Sequence, residues 1–200
     1  MHPPTLESAQ APDAASKVLL AARALFVEEG YAATSMRQLA ARVGVQPGSL
    51  YHHVASKQDL LLDVLMDIAT TRLDAWRYGA YTRNVVGYLR FRMDRQAAHP
   101  DEEALLRYES RHLTREQRLC LETALAQLQQ PLRDFLAKDR RPGRYVAQDQ
   151  ARSFEALLAL IDAANDMRRR PMPVEASWIQ GWIEQTSRAL LDRRRVANEG

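Results

Sequence analysis

The fold of this chain is indicated by one stretch, SMRQLAARVGVQPGSLYHH, which covers residues 35–53. It opens with the hydroxyl residue Ser35 and has the amide Gln38 three positions later, the pattern of a capping box that begins a helix. Gly44 can end that helix after about two turns, and Pro47 suits the first turn of a second one. The stretch therefore has the spacing of two short helices around a tight turn, a helix-turn-helix.

The apolar residues of this stretch predict how its two helices pack, and they are Leu39, Ala40, Val43, Val45 and Leu50. We expect the small Ala40 to let the helices approach closely, and Val45 and Leu50 to hold the second helix against the first. Gly44 can adopt the positive φ that a sharp turn needs. The second helix then presents outward Gln46, Pro47, Ser49, Tyr51 and His52. None of these side chains is acidic, so this helix can lie in a major groove and reach base edges, methyl groups or phosphates.

The composition favours helices over strands throughout the chain. Its 200 residues include 30 alanines and 26 leucines but only 11 valines, four isoleucines and eight glycines. Alanine and leucine are strong helix formers, whereas the β-branched residues that strands prefer are scarce. We therefore predict an all-α fold rather than a β-sandwich or a doubly wound sheet.

Charge, cysteine content and hydropathy exclude several classes of protein. The net charge is +3, and 25 of the 28 basic residues are arginine, so their placement is more informative than their sum. The single cysteine, Cys120, allows no intramolecular disulfide, and its sequence context predicts a buried small apolar residue. No apolar run approaches the roughly 20 residues that span a bilayer. Residues 1–12 hold three prolines and no signal-like apolar core, so we predict a flexible tail and a cytoplasmic protein without a membrane partner.

Capping residues and apolar periodicity predict the other helices. We expect helices over 14–29, 57–78, 82–98, 101–108 and 114–138, the last opened by a second capping box at Thr114 and Gln117. Pro131 is a candidate kink in that helix, and residues 140–144 form a predicted loop. Two amphipathic helices then close the chain. The predicted organisation is a tail at 1–12, a helix-turn-helix domain at 13–55 and a ligand-binding and dimerisation domain at 56–200.

Residues 14–65 resemble the DNA-binding domain of the tetracycline-repressor (TetR) family, above all in GYAATSMRQLA at 30–40 and GSLYHHVASK at 48–57. The resemblance implies a three-helix head, a body of about six further helices and a homodimer joined by the last two long helices. It also implies DNA contacts at matching positions. These are Thr34 and Ser35 as phosphate-contacting and capping residues, Arg37 on the second helix, Gln46, Pro47, Gly48, Ser49, Tyr51 and His52 on the recognition helix, and Lys57 at the start of the fourth helix.

The remaining candidate sites depend on the residues alone. Polar groups close to apolar stripes, as a ligand pocket needs, are Tyr88, Arg107, Tyr108, His112, Asp162 and Asn165, each of which could equally be a surface or core residue. The candidate dimer interface comprises Phe154, Leu157, Leu158, Ile161, Trp178 and Trp182, and the tryptophans fit either a core or a dimer seam. His52 and His53 point about 100° apart on a helix, so we expect no metal site, with His52 outward and His53 inward. No cofactor is predicted.

These features together predict a ligand-responsive transcriptional regulator of double-stranded DNA. We expect a homodimeric repressor that binds a palindromic operator and is released by a small apolar or amphipathic effector. Two alternatives remain, a constitutive DNA-binding protein without an effector and an all-helical small-molecule carrier or enzyme. Against an enzyme, the sequence contains no Gly-x-Ser-x-Gly, glycine-rich phosphate loop, His-Glu-x-x-His or paired-cysteine motif.

Overall fold

The computed structural model of the chain describes residues 14–138, 147–170 and 174–191. Within these ranges all regular structure is helical, which confirms the predicted all-α fold. The α-helices are α1 (Ala14–Glu29), α2 (Met36–Val43), α3 (Pro47–Leu50), α4 (Lys57–Tyr78), α5 (Val85–Ala98), α6 (Pro100–Ala104), α7 (Arg115–Lys138), α8 (Ala147–Arg168) and α9 (Ala176–Leu191). A π-helical turn at Leu105–Glu109 and a 3-10 turn at Ser110–His112 connect α6 to α7. The predicted tail at 1–12 and the predicted loop at 140–144 lie outside the described residues.

The chain divides into two compact units. Among the described residues, the first unit comprises 14–67 and 104–118, and the second comprises 68–103 and those from 119 to 191. Helices α4 and α7 therefore contribute residues to both units. The first unit is larger than the predicted helix-turn-helix domain of residues 13–55, because the start of α4 and the turns before α7 belong to it.

The core of the first unit joins α1 to the helix-turn-helix. The predicted apolar stripe of α1 is buried, as Val18, Ala22, Leu25 and Phe26. Buried residues from the following helices complete this core, namely Leu39, Ala40, Leu50, Leu60, Leu61, Val64 and Leu65. Removal of this apolar surface from water is the main force that holds the short helices α2 and α3 in place.

The core of the second unit is built around an aromatic cluster. The ring centre of Trp76 lies 5.2 Å from that of Tyr88 and 5.4 Å from that of Phe91. Residues of α7, α8 and α9 pack against this cluster, among them Leu128, Leu132, Leu136, Phe154, Leu157, Ile161, Ile179 and Ile183. Edge-to-face aromatic contacts add directional stabilisation to the burial of apolar area.

Side-chain caps define the helix starts, and two of them confirm the predicted capping boxes. Ser35 and Gln38 cap α2 reciprocally. At the start of α7, Thr114 Oγ1 accepts from the Gln117 backbone N–H at 3.1 Å, and Gln117 Oε1 accepts from the Thr114 backbone N–H at 3.1 Å. These contacts depend only on residues close in sequence, which is why they could be predicted.

The start of α5 and the burial of Cys120 differ from their predictions. Helix α5 begins at Val85 rather than at residue 82, because the Asn84 side chain accepts a hydrogen bond from the Gly87 backbone N–H and caps the helix there. Pro131 lies inside α7, and its predicted kink stays a prediction. Cys120, predicted to be buried, is exposed, because it lies on the outward face of α7. Among the described helices, none combines the length and apolar content needed to cross a bilayer.

The predicted dimer interface is divided between core and surface. Phe154, Leu157 and Ile161 are buried in the core of the second unit, and Leu158 packs against that core. The structure thus corrects the prediction that this stripe of α8 is a dimer surface. Trp178 is 54 % exposed, and its ring stacks on that of Trp182 with the centres 6.2 Å apart and the planes 7° apart. This pair remains a candidate dimer surface.

Candidate nucleic-acid interface

The turn between α2 and α3 is closed by two hydrogen bonds to one carbonyl group. The Ala40 oxygen accepts from the Gly44 N–H at 2.9 Å and from the Val45 N–H at 3.0 Å. Gly44 has the predicted positive φ, at 80°. Leu50 is fully buried and holds α3 in place, whereas Val45 is 40 % exposed and packs less than predicted. The short turn therefore presents α3 as a fixed element beside α2.

The outward face of α2 and α3 places most of the predicted DNA contacts on an accessible surface. Arg37, Gln46, Pro47, Gly48, Tyr51 and His52 are exposed, and Ser49 is half-buried. Residues 30–58 contain no Asp or Glu, while Arg37, Arg42 and Lys57 are basic. This stretch itself thus carries none of the charges that would repel a phosphate backbone.

The two arginines of α2 have different surroundings. Arg42 pairs with Glu28 of α1, with Arg42 Nη2 2.6 Å from Glu28 Oε2. Arg37 makes no hydrogen bond or ion pair with the part of the chain that the structure describes. The Arg37 guanidinium is therefore available to an external anion, and its contact with DNA stays a prediction.

The structure corrects the prediction that the Thr34 side chain contacts phosphate. Thr34 is only 3 % exposed, and its hydroxyl donates to the Gly30 carbonyl oxygen at 2.9 Å. Its role is therefore to hold the turn that follows α1. Ser35 is exposed, but its hydroxyl oxygen accepts from the Gln38 backbone N–H at 3.2 Å as the cap of α2.

The Lys57 ammonium is held by the first unit itself. Lys57 Nζ donates to the carbonyl oxygens of Tyr31 and Thr34, both at 2.7 Å. It also lies 4.2 Å from the centre of the Tyr31 ring, a cation–π contact. Burial lowers the pKa of Lys57 from its ordinary value. Two of the three ammonium N–H groups are thus engaged within the described chain, and one is left for the predicted phosphate contact.

The histidine pair after α3 lies wholly on the surface. His52 is exposed as predicted, but His53, predicted to point inward, is exposed as well. The reason is that α3 ends at Leu50, so residues 51–53 form a turn instead of a further helical turn. Among the described residues, no three His, Cys, Asp or Glu side chains are grouped so as to hold a metal ion.

The residues predicted to line a ligand pocket are divided between the two units. Arg107, Tyr108 and His112 belong to the first unit, and Tyr88, Asp162 and Asn165 belong to the second. Arg107, Tyr108 and Asp162 are exposed, so they do not line an enclosed pocket. Tyr88 is a core residue whose hydroxyl donates to the Leu128 carbonyl oxygen at 2.8 Å. The pocket prediction is corrected on this point, because closeness to an apolar stripe does not determine which way a polar side chain points.

An open cleft of about 540 Å³ lies between α4 and α7 in the second unit. Its lining includes Trp76, Arg77, Gln127, Gln130, Pro131 and Asp134. Ligand sites commonly have volumes of about 300 to 1,000 Å³. None of these residues was a sequence-based candidate. The signal that could have indicated the cleft is Trp76, a large aromatic residue on the apolar face of α4.

The second unit also contains a buried cluster of ion pairs that the sequence analysis missed. Arg72 Nε lies 2.9 Å from Glu102 Oε2, Arg95 Nη2 lies 2.6 Å from Glu102 Oε1, and Arg72 Nη1 lies 2.6 Å from Glu103 Oε1. Burial acts to raise the pKa of the Glu102 carboxyl, but the hydrogen bonds from Arg95 and Arg72 outweigh it and hold that pKa below its ordinary value. Glu102 is therefore a buried carboxylate with two guanidinium partners.

Comparison with known proteins relates the N-terminal part of the chain to a family of regulators. Residues 18–64 match the family described as bacterial regulatory proteins of the tetR family. The HTH-type transcriptional repressor KstR2 of Mycolicibacterium smegmatis is 38 % identical over 65 residues, which are 32 % of this chain and 29 % of that repressor. The matched segment thus spans less than a third of the length of that curated relative.

Solved structures resemble the chain over most of its length. A regulatory protein of the tetR family from Rhodococcus RHA1 has a TM-score of 0.73 at 18 % identity, with 90 % of this chain and 98 % of that chain covered. AibR, whose structure contains isovaleryl coenzyme A and operator DNA, has a TM-score of 0.66 at 18 % identity, with 86 % of this chain and 97 % of AibR covered. Similarity at these identities establishes a shared fold.

Proposed function

Because the N-terminal domain of this chain belongs to the TetR family of bacterial regulatory proteins, we propose that the protein is a transcriptional regulator that binds double-stranded operator DNA. The recognition helix is α3, which enters the major groove, while Arg37 and the third N–H of Lys57 contact phosphates. We infer that binding represses the neighbouring genes by occluding their promoter. The protein acts in the cytoplasm, where the DNA lies.

One observation carries this proposal, the chemical character of the surface around α3. Residues 30–58 contain no acidic side chain, and the exposed residues include Arg37, Gln46, Tyr51 and His52. Amide, hydroxyl and imidazole groups can hydrogen-bond to base edges and phosphates, and arginine neutralises phosphate charge. Binding to a protein partner would not require the absence of carboxylates over so long a stretch, whereas binding to the phosphate backbone favours it.

We further propose that the protein is a homodimer that binds a palindromic operator. The exposed Trp178 and its stacked neighbour Trp182 on α9 support a dimer surface, since large aromatic residues are enriched in interfaces. A two-fold axis then requires the two recognition helices to lie about 34 to 36 Å apart, one turn of B-DNA. The half-sites of the operator would be related by the same two-fold axis.

A small apolar or amphipathic effector would bind in the second unit and release the DNA. The cleft of about 540 Å³ beside Trp76 supports such a ligand, and AibR, which shares the fold, holds both an acyl coenzyme A and operator DNA. Helix α4 runs from Lys57 to Tyr78 and contributes to both units, so a ligand that displaces one end changes the position of the other. A coupling of about 1 to 3 kcal/mol would weaken DNA binding about 5- to 150-fold.

The test is selection of genomic DNA fragments by the purified protein, followed by sequencing and a salt series on the best fragment. We expect a short inverted repeat, bound by two chains, with an affinity that falls steeply as salt rises because neutralised phosphates release counterions. Selection of no preferred sequence would contradict a specific regulator. A preferred site without inverted symmetry would contradict the palindromic dimer.

A further inference from the structure

A proline in the middle of α7 leaves one backbone carbonyl of the second unit without its helical donor. In an α-helix each carbonyl oxygen accepts from the N–H four residues later, and Pro131 has no N–H. The carbonyl oxygen of Gln127 therefore lacks that hydrogen bond. Apart from the helix itself, no donor among the described residues reaches this oxygen. Gln127 thus offers a backbone acceptor to a donor from outside the chain.

The face of α7 that carries this carbonyl also lines the open cleft. Gln127 and Pro131 both belong to the lining of this cleft of about 540 Å³, as does Asp134 further along the helix. A backbone carbonyl runs parallel to the helix axis toward the residue four positions later, so the Gln127 oxygen lies on the strip between Gln127 and Pro131. The carbonyl without its helical donor is therefore on the cleft side of α7.

Asp134 brings a carboxylate to the same strip. Helical side chains lean toward the N-terminus of their helix. The hydrogen bond from Gln130 Nε2 to Asp134 Oδ1, 2.8 Å long, shows that this carboxylate reaches toward the preceding turn. The Gln127 carbonyl points the opposite way, toward the C-terminus, so the two acceptors approach each other beside Pro131. The remaining separation corresponds to about one helical turn, which is about 5.4 Å.

The carboxylate of Asp134 has no cationic partner in the part of the chain that the structure describes. Its partner there is the neutral amide of Gln130. The other charged residue in the lining of the cleft is Arg77, whose Nη1 atom lies 3.7 Å from Asp74 Oδ1. Asp74 does not line the cleft, so it opposes the charge of Arg77 from outside. The charge of Asp134 is left unopposed, and the cleft therefore favours a guest with one positive charge.

The rest of the cleft suits the apolar body of a small molecule. The apolar residues of its lining come from both helices, and they are Leu73, Trp76, Ala126 and Pro131. A volume of about 540 Å³ lies within the range of about 300 to 1,000 Å³ that is common for ligand sites. Removal of this apolar surface from water would add to the binding of a guest with a hydrocarbon part.

We propose that the open cleft binds a primary or secondary amine with an apolar body, and that its ammonium group is held between Asp134 and the Gln127 carbonyl. This proposal rests on the function proposed above and names the chemical class of the effector. Charge-assisted N–H···O bonds are about 2.8 Å long, so one ammonium nitrogen spans the turn between the two acceptors. A carboxylate would bring further acceptors to this strip. A quaternary ammonium would bring the charge but no N–H to donate.

The first experiment measures binding by calorimetry on the full chain without DNA. The probes are straight-chain primary amines from butylamine to octylamine, and the controls are their N,N,N-trimethyl derivatives and carboxylates of the same lengths. We expect the primary amines to bind, with a preferred chain length, and both controls to bind at least tenfold more weakly. Equal binding of the trimethyl derivatives, or no binding of any primary amine, would overturn the proposal. Binding of the carboxylates that is lost in Arg77→Leu would assign the cleft to anions and overturn it as well.

A matched pair of carboxylate variants locates the ammonium group. Asp134→Asn keeps the shape of the side chain and removes its charge, so it should weaken amine binding roughly tenfold or more. The matched control is Glu122→Gln, because Glu122 is an exposed carboxylate of the same helix that does not line the cleft. It should bind the amine as the unaltered protein does. Equal losses in the two variants would mean that the overall charge of α7 attracts the amine, which would overturn the proposed site.

Replacement of the proline tests the part played by the Gln127 carbonyl. Pro131→Leu keeps an apolar side chain and restores an N–H, which would pair with that carbonyl within the helix. We expect amine binding to weaken roughly fivefold while the Tm of the free protein stays unchanged or rises, because leucine favours a helix and proline does not. Loss of affinity without loss of stability cannot result from a damaged fold. Unchanged amine binding in Pro131→Leu would exclude the carbonyl and overturn the proposal.

DNA binding is measured separately, by fluorescence anisotropy on the selected fragment with and without the preferred amine. Amine binding without any specific DNA binding would leave the amine site standing and refute the proposed regulator. Specific DNA binding without amine binding would do the reverse. Specific DNA binding that the bound amine leaves unchanged would overturn its role as effector.

Discussion

Lys57 holds Tyr31 at two points, since Nζ donates to the Tyr31 carbonyl oxygen at 2.7 Å and lies 4.2 Å from the centre of the Tyr31 ring. The first residue of α4 is thereby tied to the turn that follows α1, across 26 positions of sequence. Lys57, which the sequence assigns to DNA contact alone, therefore also stabilises the first unit.

Replacement of Lys57 tests its structural role. We expect Lys57→Ala to lower the free energy of unfolding of the first unit by about 2 to 3 kcal/mol, because two hydrogen bonds from a charged group and a cation–π contact are lost. Urea unfolding followed by circular dichroism measures the change. An unchanged urea midpoint would mean that the ammonium points to solvent instead.

Arg37 and Arg42 form a matched pair for DNA binding. Arg37→Ala should weaken operator binding and reduce the slope of log affinity against log salt by about 1, because one phosphate contact is removed. Arg42→Ala should change both much less, since Arg42 is paired with Glu28. Anisotropy titrations at several salt concentrations provide the comparison. Equal effects of the two variants would contradict the assignment of Arg37 to the DNA surface.

Gly44 and Gly48 form a matched pair for backbone strain. Gly44 has a φ of 80°, and an added Cβ would have no neighbour within 4 Å. Gly44→Ala should therefore destabilise the fold through an unfavourable backbone conformation and not through a steric clash. We expect a loss of about 1 to 2 kcal/mol in the free energy of unfolding. Gly48 has no positive φ, and its Cβ would also meet nothing within 4 Å, so Gly48→Ala should be nearly neutral. Chemical unfolding of both variants would be compared, and a similar loss in each would exclude the strain explanation.

The ion pairs of Glu102 predict that a fall in pH lowers the stability of the second unit. Its pKa is lower in the folded protein than in the unfolded chain, so its contribution to stability is complete above the ordinary glutamate pKa of 4.5 and is lost as the pH falls through the folded value. Glu102→Gln should lower the stability at pH 7 by about 3 to 5 kcal/mol, because it leaves buried arginines with too little negative charge.

The same variant should also lose stability less steeply than the unaltered protein as the pH falls toward about 3. Urea unfolding at a series of pH values measures both effects. Parallel pH profiles for the two proteins would show that the carboxylate does not titrate as its surroundings indicate.

Trp178 tests the proposed dimer. Trp178→Glu places a charge at the exposed end of the tryptophan stack and should convert dimers to monomers in sedimentation velocity. Tyr78→Glu is the control, because Tyr78 is 84 % exposed and belongs to α4, not to either of the two closing helices. Dissociation by both variants, or by neither, would argue against the Trp178 seam.

The sequence by itself determined where most of the helices lie and where α2 and α7 begin, because those features depend on interactions between near neighbours. The capping boxes at Ser35 and Thr114 join residues three positions apart, and the positive φ of Gly44 follows from the absence of a side chain. The apolar stripe of α1 and the absence of Asp and Glu from residues 30–58 could likewise be read from the sequence. These local features were sufficient to predict a helix-turn-helix in an all-α chain.

Only the tertiary structure decided which polar side chains make hydrogen bonds or ion pairs within the fold and which are buried without a partner. Lys57 meets the Thr34 carbonyl 23 positions away, and Arg72 meets Glu102 30 positions away, distances over which periodicity carries no information. The same is true of Gln96 and Asn165, whose burial depends on the packing of α5 against α8. A side chain's partner is set by the packing of whole helices, and that packing is a property of all the apolar faces together rather than of any local stretch.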